Sequence, residues 1–433
     1  MRALLGIALF LGIAWLLSSN RKKINYRIII AGLALQALFA VAVLKAPYVS
    51  DVFDWFSQGV NKLLSISDAG SEFLFGSLID PSKSWGYLFA FKVLPTIVFF
   101  SALMSLLYYL GVMQRVVYAF AWVMKRTMRL SGAESLAAAA NIFVGQTEAP
   151  LMVKPYINTM TKSEVMALMT GGMATIAGAV LMSYVGMLGD SWAIMNPDLD
   201  PEIVKTTFTK HLLCASIISA PAALLFAKLL VPETEPINEE MKVDKEKNGA
   251  NVLEAISNGT TQGVKLAVNV GAMLLVFTAL MYGGNMLMGY IGNLGGINES
   301  VASISNGKFT ELSFQFLLGY AMAPVSWLMG VASEDIALVG SLLGEKTILN
   351  EFYAFKSMEG LIQSGAITNE KSILIATYAL CGFSNVASIG IQIGGIGVLA
   401  PTRTGLLSKL GVKALIGGTL ACLMTACIAG MIL

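Results

Sequence analysis

About eight stretches of this chain are long and apolar enough to cross a lipid bilayer as helices. A crossing helix needs roughly 20 apolar residues in a row. Only 13% of the 433 residues are charged, whereas a soluble domain has about 25%, so lipid must be the solvent for much of the chain. The sequence therefore predicts an all-α polytopic membrane protein with spans near 3–19, 26–46, 88–114, 164–189, 206–231, 264–292, 373–398 and 411–433.

Charge and metal-ligand content argue against several classes of protein. The 29 basic and 27 acidic residues nearly cancel, giving a net charge of +2, so no basic surplus is available for a phosphate backbone and no nucleic-acid partner is expected. The single histidine, His211, and the four cysteines lie in apolar runs without paired metal-ligand spacing. We therefore expect neither a zinc site nor a disulfide framework.

The positions of the basic residues predict the orientation in the membrane. Arg21, Lys22, Lys23 and Arg27 follow the first apolar run, so the loop at 20–27 is expected in the cytoplasm and the N-terminus outside. Alternating crossings then place the basic loops at 115–129 and 401–413, and the mixed-charge linker at 232–250, on the cytoplasmic side. The C-terminus is expected outside as well.

Glu148 lies in an apolar stretch, NIFVGQTEAP at 141–150, where an ionised side chain is costly. Gly145 and Pro150 oppose a continuous helix there, because proline removes a hydrogen-bond donor and clashes with the preceding turn. We predict a re-entrant helical hairpin over about 133–158 that enters from the cytoplasm. Such irregular backbone is tolerated at bilayer depth only inside protein or beside a polar cavity.

Glu351 is a second acid in an apolar setting and predicts a second hairpin, over about 318–352, that enters from the outside. Each acidic segment is followed by a stretch rich in glycine and hydroxyl residues, around Thr175 and around Asn385, which is typical of unwound transporter helices. The chain thus repeats one unit, a hairpin followed by a broken helix, and the two hairpins enter from opposite sides. An inverted repeat with the binding site between its halves follows. We expect Glu334 and Asp335 only to cap a half-helix.

The candidate site is rich in carboxylates, amides and hydroxyls, and no arginine or lysine lies close to it in sequence. An anionic substrate is therefore disfavoured, and a neutral hydroxylated solute or a cation fits better. No phosphate-binding loop motif is present, so coupling to an ion gradient is expected and the chain is predicted to be a secondary transporter, not an enzyme. A channel and a transporter of another solute remain alternatives at this point, and an intramembrane enzyme lacks its expected motifs.

Three motifs resemble those of the concentrative nucleoside transporter family: NIFVGQTEAP at 141–150, NEF at 350–352 and CGFSNVASI at 381–389. The resemblance covers nearly the whole chain. It implies a sodium-coupled nucleoside symporter without a further cofactor, a homotrimer in a bacterial inner membrane, and an elevator-type movement of a transport domain against a scaffold. Proton coupling is the alternative, although the GQTEAP sequence is the version associated with sodium.

The resemblance also implies roles for individual residues. The nucleobase would be bound by Gln146, Thr147 and Glu148 and by the apolar side chains of Val180, Leu266 and Phe383. The ribose hydroxyls would be bound by Glu351, Asn385 and Ser388. Sodium would be held by the side chains of Asn141 and Thr175 and by the backbone carbonyls of Val144 and Ile176; Thr175 stands where related bacterial chains carry serine.

Five segments follow from the pattern of spans and from the resemblance. Residues 1–114 are expected to be mainly scaffold, with the first three spans and an interfacial helix in the outer loop at 47–87. Residues 115–231 would be the first transport repeat, with an interfacial helix near 115–129, and 232–250 the cytoplasmic linker. Residues 251–310 would hold an interfacial helix and a scaffold span, and 311–433 would be the second transport repeat.

Overall fold

A computed structural model describes residues 1–79, 88–241 and 249–433. Every regular element within these ranges is helical, as the apolar pattern predicts. Three short 3-10 helices, at Arg21–Lys23, Gly76–Ile79 and Pro401–Arg403, accompany the α-helices. The α-helices are α1 Arg2–Leu16, α2 Tyr26–Leu44, α3 Pro47–Phe75, α4 Phe89–Tyr109, α5 Val112–Met128, α6 Gly132–Asn141, α7 Ala149–Met152, α8 Lys154–Ile157, α9 Lys162–Ala174, α10 Gly178–Met195, α11 Pro201–Leu230, α12 Val252–Leu294, α13 Ile297–Ile304, α14 Phe314–Met329, α15 Ile336–Ile348, α16 Glu351–Gln363, α17 Glu370–Leu380, α18 Val386–Leu399 and α19 Thr404–Ile432.

Six segments of the described chain are long and apolar enough to cross a membrane. They contain α2, α4, the α9–α10 pair, α11, α12 and α19, and they coincide with six of the predicted spans. The other two predicted spans coincide with α1, which has 15 residues, and with the interrupted pair α17 and α18. The predicted membrane class is thus confirmed, and the number of eight spans stays a prediction.

The long helix α12 packs along α4 through a stripe of small residues. Gly259 and Gly263 face α4 so closely that an added Cβ at either would lie within 3 Å of its atoms, and Ala267 continues the stripe as a buried residue. Small residues let two membrane helices approach at backbone distance. The predicted interfacial helix at the start of 251–310 is wrong as a separate element, because α12 runs through without a break from Val252 to Leu294.

The other two predicted interfacial segments are helical. The described part of the outer loop forms one long α-helix, α3, whose Asn61 side chain donates to the Thr206 hydroxyl of α11 and accepts from that of Thr209, while Trp55 and Phe73 are exposed. The basic segment after α4 forms α5. Residues 80–87 of the outer loop and 242–248 of the linker lie outside the described residues.

The first hairpin has the predicted position: α6 leads to an irregular tip at residues 142–148, and α7 and α8 return. A capping box fixes its start, since Ser131 and Glu134 exchange side-chain to backbone hydrogen bonds. The buried Lys228 at the end of α11 forms an ion pair with Glu134 at 2.7 Å and another with Glu233 of the linker at 3.2 Å. Partial burial alone would raise the pKa of Glu233, yet Lys228 and a hydrogen bond from Thr161 together hold it below its usual range.

The second hairpin differs from the predicted range. Residues 318–352 contain most of α14 and all of α15, but the acid Glu351 lies after α15, in the tight junction at which α16 begins. The arm that returns from Glu351 is α16, which lies almost entirely beyond the predicted range. Asn350 caps this arm by accepting from the Tyr353 amide at 2.7 Å, so two closely spaced helices meet at the acid.

Glu334 and Asp335 lie in the turn between α14 and α15. Asp335 occupies the position before the first residue of α15, as expected for a cap, but its side chain makes no capping hydrogen bond. Its carboxylate is instead 3.9 Å from the Lys308 ammonium, and Lys308 also donates to the Glu334 carbonyl. The capping role predicted for these acids is therefore not observed.

The two broken helices cross at their breaks. The Phe383 amide, in the break between α17 and α18, donates to the Thr175 carbonyl, in the break between α9 and α10, at 3.2 Å. Gly382 makes this crossing possible, because an added Cβ would lie 2.9 Å from the Ala174 oxygen and 2.5 Å from the Cys422 sulfur. The crossing brings the unwound backbone of both repeats to one place, as an inverted repeat requires.

The loops predicted to be cytoplasmic lie on one side of the molecule. The Ser19 amide donates to the Leu230 carbonyl at 2.9 Å, Lys413 donates to the Leu17 carbonyl at 3.4 Å, and Lys125 donates to the Glu239 carbonyl. The first of these contacts joins the loop after α1 to the end of α11, the second joins it to the start of α19, and the third joins α5 to the linker. This grouping agrees with an alternating path through the membrane.

Candidate functional site

Glu351 lies where the second hairpin meets both repeats. It is 5% exposed, and each of its carboxylate oxygens accepts one hydrogen bond: Oε1 from the Tyr184 hydroxyl at 3.2 Å and Oε2 from the Asn385 amide at 3.0 Å. A carboxylate has about four acceptor positions. The protein therefore orients Glu351 while leaving it able to accept from a vicinal pair of hydroxyl groups.

The orientation of the Asn385 side chain is fixed by backbone. Asn385 caps α18, and its Oδ1 accepts from the Ser388 backbone amide at 2.9 Å. A backbone N–H can only donate, so the atom facing it must be the oxygen, and the Nδ2 group must face Glu351. The start of α18 thus places Asn385 and Ser388 beside the acid of the second hairpin.

The tip of the first hairpin reaches the same place. The Gln146 Nε2 atom donates to the Ser388 hydroxyl oxygen at 3.1 Å, and Gln146 is buried. This contact joins the residue predicted to bind the nucleobase to a residue predicted to bind the ribose. Four of the predicted binding residues therefore form one connected polar group: Gln146, Ser388, Asn385 and Glu351.

Thr147 and Glu148 have a more open position than the sequence suggested. Both are exposed at the hairpin tip, so Glu148 is accessible rather than sealed in apolar surroundings. Its Oε2 atom folds back against Gly145, where an added Cβ would be only 2.2 Å away. Gly145 is thus needed for this conformation, and Glu148 can meet a ligand from the open side.

The predicted apolar contributors lie on three different elements. Val180 is buried one turn after the break that precedes α10, and Phe383 is half-buried in the break before α18. Leu266 is half-buried on α12 and packs against the apolar core. Val180 and Phe383 therefore lie close to the crossing of the two breaks, whereas the role of Leu266 stays a prediction.

The proposed sodium ligands lie where the first hairpin tip meets the first break. The Asn141 side chain is 1% exposed, and neither its oxygen nor its nitrogen has a hydrogen-bond partner among the described residues. It lies against Gly171, whose carbonyl accepts from the Thr175 hydroxyl at 2.9 Å. A buried amide without partners is costly, and a hard cation prefers oxygen ligands of this kind.

The carbonyl groups of Val144 and Ile176 belong to non-helical backbone on the two sides of this junction. The Gly178 amide donates to the Phe143 carbonyl at 3.0 Å and so ties the hairpin tip to the break. Carbonyl oxygens of unwound backbone are the usual partners of coupling ions in transporters. The donor set of two side chains and two carbonyls therefore suits a monovalent cation without a carboxylate.

Two residues of the site, Tyr184 and Gln392, were not predicted from the sequence. Tyr184 is fully buried, stacks on Phe355 with ring centroids 4.0 Å apart and contacts the Phe352 ring at 5.2 Å, which fixes its hydroxyl toward Glu351. Gln392 of α18 donates to Gln146 Oε1 at 3.1 Å. A glutamine in the apolar run of α18 was a visible signal for the second residue, but nothing in the sequence distinguishes Tyr184 from an ordinary core tyrosine.

Comparison with known proteins agrees with this architecture. The chain matches three family profiles: the N-terminus of Na+ dependent nucleoside transporters over residues 5–78, a nucleoside recognition (Gate) profile over 90–191, and the C-terminus of Na+ dependent nucleoside transporters over 211–430. An uncharacterised transporter of Haemophilus influenzae is 41% identical, over 99% of this chain and 97% of that protein. The nucleoside permease NupC of Helicobacter pylori is 36% identical, with 99% and 97% covered.

Longer relatives and solved structures show the same likeness. Human solute carrier family 28 member 3 is 38% identical over 99% of this chain, which spans 59% of that protein. The transporter CNTnw has been solved in an inward-facing substrate-bound state, which has a TM-score of 0.87 and 37% identity and covers 100% of this chain and 98% of that one. An outward-facing structure of a CNTnw variant also has a TM-score of 0.87 and 37% identity, with 100% and 97% covered.

Proposed function

Because the chain belongs to the concentrative nucleoside transporter family, a family of transporters and not of enzymes, we propose that it imports nucleosides by symport with sodium. The observation that carries the proposal is the connected polar group of Gln146, Ser388, Asn385 and Glu351 at the crossing of the two broken helices. Its carboxylate can accept hydrogen bonds from two vicinal hydroxyl groups, and its amide groups can form hydrogen bonds with a base. A nucleoside has both features in one neutral molecule.

Sodium is the proposed coupling ion, and no further cofactor is needed for the cycle. The support is the buried and unpartnered Asn141 side chain, together with the Thr175 hydroxyl one helical turn beyond Gly171. Since this junction shares the hairpin tip with Gln146, ion binding would order the same backbone that binds the base. Sodium would thereby raise the affinity for the nucleoside, which is the coupling a symporter needs.

Uptake into proteoliposomes tests the proposal directly. We expect uridine or adenosine to accumulate when sodium is higher outside, and to equilibrate without accumulation when choline replaces sodium. A proton gradient in sodium-free buffer is the control for the alternative coupling ion. Accumulation driven by protons alone would replace sodium in the proposal, and the absence of saturable nucleoside flux under every gradient would contradict the function itself.

We further propose that the working unit is a homotrimer with both termini outside, in which the two hairpins and two broken helices move as one body against α4 and α12. The hydrogen bonds between the repeats support a single moving body. Apolar side chains of α12 are exposed among the described residues, including Leu275, Leu280 and Leu287, and they would form subunit contacts.

The movement would break the ion pair between Lys92 of α4 and Asp190 of α10, whose atoms are 3.4 Å apart. A short bis-methanethiosulfonate reagent that bridges Lys92→Cys and Asp190→Cys should stop uptake, and a reductant should restore it; the bridge replaces the reach of the lysine side chain, which a direct disulfide would lack. The single substitutions, treated with the same reagent, are the control. Uptake that continues through the crosslink would contradict the proposed movement, and light scattering in detergent that shows one copy would contradict the trimer.

A further inference from the structure

Gln392 connects the first hairpin to α9 from the middle of α18. Its side chain is 1% exposed, and its Nε2 atom lies 3.0 Å from the Met169 backbone carbonyl and 3.1 Å from Gln146 Oε1. Gly172 makes room for this arrangement, since an added Cβ would lie 2.6 Å from Gln392 Nε2 and 2.9 Å from Gln146 Cβ. Gln392 therefore touches both an element of the fold and a proposed ligand of the nucleobase.

The Met169 carbonyl decides which way both amides point. A backbone carbonyl can only accept, so the Gln392 atom that faces it must be the nitrogen. The same NH₂ group has a second hydrogen, directed at Gln146, so the atom of Gln146 that meets it must be the oxygen. The other end of the Gln146 amide is then the nitrogen, and this is the atom that meets Ser388.

The hydrogen bonds that run from the Met169 carbonyl through Gln392 to Gln146 form a relay. This relay fixes which end of the Gln146 amide faces the binding site. One hydrogen of its NH₂ group goes to the Ser388 hydroxyl oxygen. None of the described hydrogen bonds uses the second, so it remains for the nucleoside at this end of the amide. Without the relay, the Gln146 amide could turn over and present its oxygen there, because the Ser388 hydroxyl can donate as well as accept.

We propose that Gln392 is a specificity-determining residue: it holds Gln146 as a hydrogen-bond donor to the base and thereby favours bases with a carbonyl group over bases with an amino group at the same position. The proposal rests on the proposed function, because Gln146 must contact the base. Uracil and hypoxanthine carry a carbonyl where cytosine and adenine carry an amino group. The members of each pair have nearly the same size and differ mainly in hydrogen-bond polarity.

The test compares the dissociation constants of uridine, cytidine, inosine and adenosine in sodium buffer for the purified full-length protein. One neutral hydrogen bond gives about a three- to tenfold difference in affinity. We expect uridine to bind about three- to tenfold more tightly than cytidine, and inosine than adenosine. In Gln392→Met, which removes both relay hydrogen bonds at similar volume, both ratios should approach one.

Gln36→Met is the matched control. Gln36 of α2 is also fully buried, donates to a backbone carbonyl, that of Gly32, at 3.1 Å, and has an unpartnered Oε1 atom, but it lies outside the connected polar group. Its substitution should leave both ratios unchanged. If Gln392→Met is not monodisperse, Gln392→Leu serves in its place, and the double variant Gln146→Met/Gln392→Met should change the ratios no more than Gln146→Met alone.

Three outcomes separate the possibilities. Ratios that survive in the Gln392 variants, or a wild-type preference for cytidine and adenosine, would overturn the role of Gln392 and leave the nucleoside function intact. Equal loss of affinity for all four nucleosides with unchanged ratios would show a purely structural role and would also overturn it. No binding of any nucleoside to the wild type would instead contradict the proposed function, and the inference with it.

Discussion

Replacing Glu351 with glutamine should weaken nucleoside binding about a hundredfold. A hydrogen bond to a charged acceptor contributes about 1.5–3 kcal/mol, and two ribose hydroxyls would lose this acceptor, so a loss of about 3 kcal/mol corresponds to the expected factor. Asn385 aggravates the loss, because its Nδ2 group is fixed as a donor and obliges the new amide to turn its oxygen toward it. An N–H group would then remain where a ribose hydroxyl needs an acceptor.

Titration of uridine and of 2′,3′-dideoxyuridine into wild type and Glu351→Gln measures this effect. The wild type should bind 2′,3′-dideoxyuridine much more weakly than uridine. The variant should bind the two ligands about equally, because the substitution and the loss of the hydroxyls remove the same contact. Glu345→Gln is the control, since Glu345 of α15 is equally buried but bonds to Gln315 of α14. Uridine affinity within about threefold of the wild type in Glu351→Gln would contradict the assignment of the ribose site.

Removing the amide of Asn141 should weaken sodium binding strongly, so that accumulation needs a much higher sodium concentration. Asn141→Ala deletes a buried oxygen that no described residue satisfies, and Thr175→Val deletes the hydroxyl oxygen of the same junction at nearly constant volume. We expect the half-maximal sodium concentration to rise more than tenfold in each variant, which corresponds to more than about 1.4 kcal/mol of lost ion binding. Nucleoside uptake measured against sodium concentration, with choline as the replacement, gives this value.

Thr175→Ser is the matched control for the sodium site, because serine keeps the hydroxyl oxygen and loses only a methyl group. Its sodium dependence should stay close to that of the wild type. An unchanged half-maximal sodium concentration in both Asn141→Ala and Thr175→Val would place the ion elsewhere. Uptake by Asn141→Ala that a proton gradient restores would favour the alternative coupling ion.

Much of the fold could be predicted because membrane insertion depends on local composition. The spans, the first hairpin and the two interruptions near Thr175 and Asn385 all have a signal within about 20 residues of sequence, as apolar runs broken by glycine, proline or polar side chains. The start of α12 was mispredicted for the same reason: the change of polarity near residue 263 suggested two elements, whereas packing of Gly259 and Gly263 on α4 supports one continuous helix.

The second hairpin shows where local patterns fail. The apolar stretch before Glu351 holds two closely packed helices, α14 and α15. Because that stretch has the strongest apolar signal, the hairpin was predicted to end just after Glu351, whereas its tip lies at Glu351. The returning arm, α16, contains Lys356 and Glu359, which form an ion pair with atoms 2.7 Å apart. These charges lower the hydropathy of α16, and a hydropathy pattern does not show that they neutralise each other.

Local sequence was enough to establish the solvent of this protein, the approximate path of its helices and the two acids that mark its centre, because each charge and each unpaired backbone group placed in lipid carries its own energetic cost. Which groups those acids and amides contact depends on the fold. Gln146 and Ser388 are 242 positions apart, and Tyr184 and Glu351 are 167 apart. Hydrogen bonds depend on distance and direction in space, so the folded crossing of the two repeats was needed to show that Tyr184 orients Glu351 and that Gln392 orients Gln146.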